Sequence, residues 1–456
     1  MVQQISKLRF DALASYARHP AAAALATEIA WFEWAESRLI GTLQVDTDGE
    51  FSAVFMAPDL RERYRWVGMT EFHSEPINAV VQLAKMGGAL AERTDEIREQ
   101  GDESGEVVDF FASSVPAEKL HPDFERLATH PGYAPARALI EPMMRWHEDA
   151  DGNFVEQFQT TGFDARMWEL YLFAAITEAG LAISSEKSVP DFNLTGPLGD
   201  LCVEATTINP SKDHQGNAVE APSRETDEER RVYVEHYLPI RYAGPLNAKL
   251  SKRYWEQSHV GGKPLVFAIQ DFHETLSMTW TRSALPTYLY GNSHEPIRRD
   301  DGSLDIRVKP VKVHKWSTKE VTSGFFSLPD TEYVSAVLFN NSGTISKFDR
   351  MGVAAGFGTE NVILVREGFV VDHDPDASQP TTFVHVVSEG YPETWIEGMD
   401  VYHNPKALHP LDPDVLPGAA HHHVMPDGQI ESSSPGWHPL SSLTSIIVTE
   451  GSGAAK

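Results

Sequence analysis

The chain predicts an α/β protein in which a mixed sheet is flanked by helices, and three stretches carry that expectation. Residues 163–179 are apolar on almost every side, the mark of a helix lying inside a core. Residues 201–208 are β-rich and follow the turn sequence Gly196-Pro197-Leu198-Gly199-Asp200, which predicts a hairpin whose first strand opens at Pro190-Asp191. Residues 263–271, KPLVFAIQD, form a continuous apolar run with a polar end, as in a strand buried on both faces. At 456 residues two or three domains are expected: an α+β N-terminal domain over 1–150, the core over 151–290, and a β-rich extension of the sheet over 291–456 with a Pro- and His-rich tail.

In chain order, residues 1–38 read as helical, with Ile29, Trp31, Phe32 and Trp34 as a heavy apolar side. Residues 39–56 read as a hairpin around Asp46-Thr47-Asp48-Gly49, because an Asp-Gly step suits a tight turn. A long amphipathic helix is expected over 71–100 and another helix over 135–147. Asp149, Asp151 and Asn153 alternate like the start of a calcium loop, but the Gly and closing Glu of such a loop are missing, which leaves a plain turn. Thr161 and Asp164 have the spacing of a capping box that would open the buried helix.

Three acids stand out between 161 and 208. Glu169 is followed along its helix by apolar Phe173 and Ile176, and a carboxylate buried among such residues is costly unless something pairs with it. If the hairpin folds symmetrically about Pro197 and Leu198, Asp191 falls opposite Glu204. Cβ atoms on such neighbours lie about 5 Å apart, where two carboxylates repel unless a cation bridges them. The pattern therefore points to a divalent metal.

This stretch resembles the PD-(D/E)XK nuclease superfamily. The resemblance implies a restriction-endonuclease-like core of helix, three-stranded hairpin sheet, helix and strand. It also implies Glu169, Asp191 and Glu204 as ligands of Mg²⁺ (or Mn²⁺), and cleavage of DNA or RNA by metal-activated water, with Asp191 and Glu204 at the centre of catalysis. The motif's Lys position holds Thr206, so the catalytic cation has to come from elsewhere. Beyond the core the chain resembles bacterial proteins, a likeness that bears on fold more than on activity.

Lys249 is the candidate replacement. Pro245 is placed to start a helix over 245–257 with Leu246, Leu250 and Tyr254 as its buried stripe, and Lys249 falls on the flank of that stripe. A solvated face made of Lys249, Lys252 and Arg253 accounts for the same residues. Lys212 in the polar loop after 208 is a second source of positive charge.

Charge weighs on the nuclease expectation: 38 basic against 66 acidic residues give −28, which argues against a broad phosphate-binding surface. The locally basic part lies over 290–320, where Arg298, Arg299, Lys312, Lys315 and Trp316 offer phosphate contacts and a stacking platform, or a solvated face paired with acids. Gln270, Asp271 and His273 end a predicted strand and either reach a ligand or cap the strand. Asn340-Asn341-Ser342-Gly343 followed by Lys347 and Arg350 suits either an anion site or an ordinary turn. His421-His422-His423 reads as a surface loop, and Cys202, the sole cysteine, as a packed core thiol.

No phosphate-binding loop, dinucleotide fingerprint, metalloprotease helix or nucleophile elbow occurs, and no signal peptide or spanning helix is recognised, so a cytoplasmic protein without a membrane partner is expected. Two alternatives stay open: a binding module that has lost catalysis, and another hydrolase working through paired carboxylates, such as a glycosidase.

Overall fold

The computed structural model describes residues 2–103, 105–147, 152–211, 215, 219, 221–279, 281–359 and 361–449. Asp149 and Asp151 of the calcium-like turn and Lys212, Asp213, His214 and Gly216 of the polar loop lie outside the described residues. The chain is a mixed α/β protein built on several sheets.

The buried helix spans Phe163–Glu178. Strands Ala182–Ser184, Phe192–Gly196 and Gly199–Ile208 follow it as an antiparallel meander. Helix Leu238–Leu250 then crosses one face, and Leu265–Asp271 returns parallel to Gly199–Ile208. Ala336–Phe339 adds in parallel, Asp400–His403 antiparallel, Ala420–Val424 parallel to that, and Ile430–Ser433 antiparallel at the far edge, which completes eight strands.

Successive residues of a strand point to opposite faces, and the sheet uses this to fill two cores. Leu201, Val203 and Ala205 pack with Val266, Ala268 and Leu338 beneath the buried helix. Cys202, Ile208, Phe267, Ile269 and Phe339 pack with Tyr242 and Leu246 beneath Leu238–Leu250. Leu265–Asp271 is buried along its whole length, as a strand covered on both sides must be.

The N-terminal part is a five-stranded antiparallel sheet in sequence order, Val2–Ile5, Ala26–Trp34, Leu39–Asp46, Phe51–Pro58 and Tyr64–Met69, with helix Pro76–Ala91 against it. The expected hairpin is there, and the Asp46 carboxylate accepts the Asp48 and Glu50 N–H groups at 3.0 and 2.8 Å while Gly49 takes φ +81°. The helix expected over 1–38 is corrected: only Lys7–Ala14 is α-helical, and 26–34 pair with the next strand, Trp31 opposite Thr42 and Trp34 opposite Leu39. Aromatic residues suit a pleated, half-buried surface, and cross-strand packing outweighed the alanine-rich lead-in. Gly87 lets the helix approach this sheet, since a Cβ there would lie 2.3 Å from the Trp34 ring.

For the strands expected over 362–371 and 382–387 the sequence leaves two readings, an extension of the main sheet or a second β layer, and the structure has the second. Val362–Val370 and Thr381–Val387 do not extend the main sheet; they form a separate three-stranded sheet with Pro439–Val448. The main sheet is extended by the stretch read as a tail, and His421 and His422 lie in a strand rather than a surface loop. His421 is buried, bonded to His403 at 2.9 Å and to the Leu416 carbonyl at 3.0 Å, so its polar atoms are satisfied in the interior. Burial, with His423 and His421 beside it, lowers the His403 pKa to about 3, which disfavours a charge on that imidazole.

Helix Ile345–Ala354 is fixed by a buried ionic knot. Glu393 receives Lys347 at 2.8 Å and Arg350 at 2.7 Å, with Arg366 at 3.5 Å. Burial opposes ionisation of Glu393, but Arg350 and Lys347 more than offset it and hold the carboxyl well below the usual range. Removing one member of such a group leaves charges buried without a partner, at a cost of about 3–5 kcal/mol. Glu393→Gln is therefore expected to lower unfolding stability by about that much, and Lys347→Met, which leaves two arginines on the carboxylate, by clearly less. Urea unfolding of the two variants checks this, and equal losses would overturn the ranking that puts Glu393 at the centre of the knot.

Candidate active site

The hairpin register pairs Phe192 with Val203 and Gly196 with Gly199, so Asp191 stands opposite Glu204 just beyond the ladder. The two residues are tied by their backbones: the Asp191 N–H donates to Glu204 Oε2 at 3.2 Å, and Asp191 Oδ2 accepts the Ala205 N–H at 2.7 Å. Glu204 is 5% exposed. Its other oxygen, Oε1, accepts from the Tyr254 hydroxyl at 2.7 Å and from Lys249 Nζ.

Lys249 reaches the site from the last turn of Leu238–Leu250. The helix does not begin at Pro245 as expected; the chain is helical from Asp227, through a π-helical turn over Tyr233–Tyr237, and carries Pro239 and Pro245 within it. Such a turn is one way a helix accommodates proline. Helix Leu238–Leu250 stops before Tyr254, which sits in a separate 3₁₀ turn after Arg253 at φ +51° and delivers its hydroxyl to Glu204.

Glu169 approaches from the buried helix. Its partner is Arg166, one turn earlier, at 2.5 Å, and Arg166 Nε also donates to Gln157 Oε1 at 3.0 Å. The expected Thr161–Asp164 capping box is absent: Gly162 is the N-cap, without a side-chain bond. Asp164 instead faces His121 and Asp123, and burial with the Asp123 charge pushes its carboxyl up to about 6.

Burial pushes the Asp191 carboxyl up to about 7, Glu204 and Glu169 add to the rise, and Lys249 and the Ala205 N–H oppose it. Burial raises Glu169 as well, against the pull of Arg166. These acids share one electrostatic neighbourhood, but Glu169, Asp191 and Glu204 do not close into a coordination group. Among the described residues, the trio whose ligand atoms all lie within 4.8 Å of one another is His121, Asp123 and Asp164. There His121 Nδ1 accepts the Asp123 N–H at 3.3 Å, the ordinary cap of helix Pro122–Thr129. In the acidic site, Asp191 Oδ1 and Glu169 Oε1 take no hydrogen bond from a described residue, whereas both oxygens of Glu204 are used by protein donors.

Glu169 and Asp191 form the wall between two clefts. One, of about 220 Å³, is lined by Lys249, Thr206, Thr207 and Asn209. The other, of about 560 Å³, runs toward Tyr16, Arg18, Arg166 and Lys187. Thr206 thus occupies a cleft wall, and Lys249 supplies a cation to the same cleft from another element.

The remaining expected residues do other things. Arg298 bonds the Gly302 and Asp376 carbonyls at 2.6 and 3.1 Å, Arg299 pairs with Asp305 at 2.9 Å, and Lys315 pairs with Glu320 at 2.8 Å. Trp316 packs edge-on against Tyr237, Lys312 is exposed, and none of these five lines either cleft. Gln270, Asp271 and His273 are buried: His273 is held between Asp271 at 2.8 Å and the Tyr233 hydroxyl at 2.7 Å, and Gln270 accepts the Gly343 N–H at 3.0 Å. Lys347 and Arg350 are consumed by Glu393, so the anion site expected after Asn340-Asn341-Ser342-Gly343 lacks its cations. Cys202 is buried and free, with Sγ 3.5 Å from Asn193 Oδ1.

Sequence reasoning missed Arg166 and Tyr254 as partners of the acids. Arg166 was open to discovery, because three residues before Glu169 is a helix-neighbour spacing; nothing local announces Tyr254. No known protein family, curated protein or solved structure matches the chain. Among the described residues no helix is long and apolar enough to cross a membrane.

The raised Asp191 value has a consequence for stability. The folded state holds this proton more tightly than an unfolded chain, whose Asp titrates near about 3.9, so metal-free stability should fall as pH rises from about 4 to about 7. Asp191→Asn, which keeps an acceptor for Ala205, is expected to melt higher than the parent at pH 8 in a chelator, with the gain closing toward about pH 4. Parallel Tm-against-pH curves for the two proteins would remove this assignment.

Proposed function

We propose that the chain is a divalent-cation-dependent phosphodiesterase acting on nucleic acid, with a restriction-endonuclease-like core. The observation that carries this reading is Lys249, whose ammonium bonds Glu204 and lines a cleft that also exposes Glu169 and Asp191. The order of helix, three-stranded meander, helix and parallel strand supports the same reading of the fold.

Three carboxylates face two nearby cations, Lys249 and Arg166, and Asp191 and Glu169, raised first by burial and then by their acidic neighbours, would be relieved by a further positive charge. The donors fit a hard cation in part. Asp191 and Glu169 would hold Mg²⁺ or Mn²⁺ through their free oxygens, while Glu204, already bonded by Lys249, Tyr254 and the Asp191 N–H, would act by fixing Lys249. The metal would lower the pKa of a bound water. Lys249 would place a fixed positive charge where negative charge gathers on the phosphoryl oxygens, and Asp191 would accept a proton as its own environment allows.

A second reading, a binding module without catalysis, is favoured by the −28 net charge and by the full use of Glu204 by protein donors. Incubation with single- and double-stranded DNA and RNA in Mg²⁺ or Mn²⁺ separates the two. Metal-dependent degradation is expected, reduced about 10²- to 10³-fold in Asp191→Ala and in Lys249→Met. Equal degradation by parent and variants would dismiss these residues, and none by the parent would leave the binding module.

A further inference from the structure

The larger cleft has no role in the chemistry just described, yet it opens onto the same two acids. We infer that it receives a single-stranded nucleic-acid segment, led with its phosphate toward Asp191 and its bases along the aromatic wall; this rests on the phosphodiesterase reading for the identity of the ligand.

Size is the first argument. About 560 Å³ lies within the roughly 300–1,000 Å³ range of clefts that enclose small ligands, room for a nucleotide or two rather than for a duplex. The lining is the second. Tyr16, half-buried, gives the cleft its aromatic wall and is backed by Phe173, on which it stacks at 4.9 Å, while Phe173 and Phe192 are themselves buried in the core. Bases of any sequence stack on such walls. The positive groups that line the cleft differ in standing: Arg18 is engaged by Asp11 and Glu28, Arg166 by Glu169 and Gln157, and Lys187 is exposed with no ion-pair partner among the described residues.

Charge is the third argument. A duplex binder neutralises many phosphates along a broad face. Here the basic hairpins Asn292–Arg298 with Leu304–Pro310 and Val313–Trp316 with Lys319–Thr322 spend several of their cations on local acids: Arg299 on Asp305, Lys309 on Glu295 and Lys315 on Glu320. A cleft with one free lysine and an aromatic wall needs few phosphate contacts, which is what a chain of net charge −28 can offer. Glu169 and Asp191 line both clefts, so a phosphate led along the larger cleft arrives at the acids that Lys249 faces from the smaller one.

The test uses the full chain in Ca²⁺ and fluorescein-labelled eight-nucleotide DNA and RNA strands beside a blunt DNA duplex of the same sequence, read by fluorescence anisotropy. Single strands are expected to bind at least about tenfold more tightly than the duplex. Lys187→Glu, at an exposed position, and Ser185→Trp, which obstructs the rim, should each weaken single-strand binding by about tenfold, and Lys312→Glu on the basic hairpin should not. Duplex binding as tight as single-strand binding, no binding of any probe, or unchanged affinity in both cleft variants would overturn the inference. Hydrolysis in Mg²⁺ separates it from the phosphodiesterase reading. Cleavage that survives Ser185→Trp unchanged would discard the cleft and keep the enzyme, and single-strand binding without cleavage in any metal would discard the enzyme and keep the cleft.

Discussion

Everything around the acids depends on how one buried carboxylate is satisfied. Glu204 lies in the second face of the central sheet, 5% exposed, where an ionised group persists only if donors surround it. The donors come from three places in the chain: the backbone just before strand Phe192–Gly196, the last turn of Leu238–Leu250, and the 3₁₀ turn Tyr254–Glu256. That one requirement fixes where the crossing helix ends and which way Lys249 points. It also leaves Asp191 and Glu169 as the acids with an oxygen that no described donor uses, so Glu204 is the positioning element and the two acids that line the clefts are available to a ligand.

The parts of the fold legible in the sequence were those fixed by short-range geometry. The Asp191–Glu204 pairing follows from a two-residue period and a recognisable turn, and the register is the one obtained by counting about Pro197 and Leu198. Lys249 was found for a related reason: the helical phase that puts Leu246 inward holds whether the helix starts at Pro245 or long before it. What was misread depended on partners far away in the chain. Trp31, Phe32 and Trp34 are apolar in a way that suits either period, and only the strand Leu39–Asp46 decides for β. Ala420–Val424 hides its strand character behind three histidines, two of which are paid for by bonds to His403, Leu416, Asp400 and Ser432 that no local pattern announces.

The same long-range dependence runs through the ionic groups. Asp400 is fully buried, and although burial opposes its charge, Arg282, His422 and His438 hold the carboxyl well below the usual range. Arg282 then reaches the Gly398 and Leu440 carbonyls at 2.8 and 3.1 Å, which ties the C-terminal strand segment to the sheet. Glu393 performs a comparable task beside the buried helix, where Tyr171 bonds the Trp395 carbonyl at 2.7 Å. A chain with a large excess of acids thus spends many of its cations inside, which is why its outer basic hairpins are a poor guide to what it binds.

The strand order of the two larger sheets implies different histories during synthesis. In the N-terminal sheet every strand pairs with its neighbour in sequence, so it can form as soon as its residues leave the ribosome. In the central sheet, Gly199–Ile208 must find Leu265–Asp271, then Ala336–Phe339, then Asp400–His403, each separated by dozens of residues. Contacts of that range are slow to close because the loop entropy is lost before the contact forms. Lys249 can meet Glu204 early, but the apolar edge of Leu265–Asp271 stands open to chaperones or to another copy of itself until Ala336–Phe339 is made, and the outer strands of the sheet wait for the last quarter of the chain.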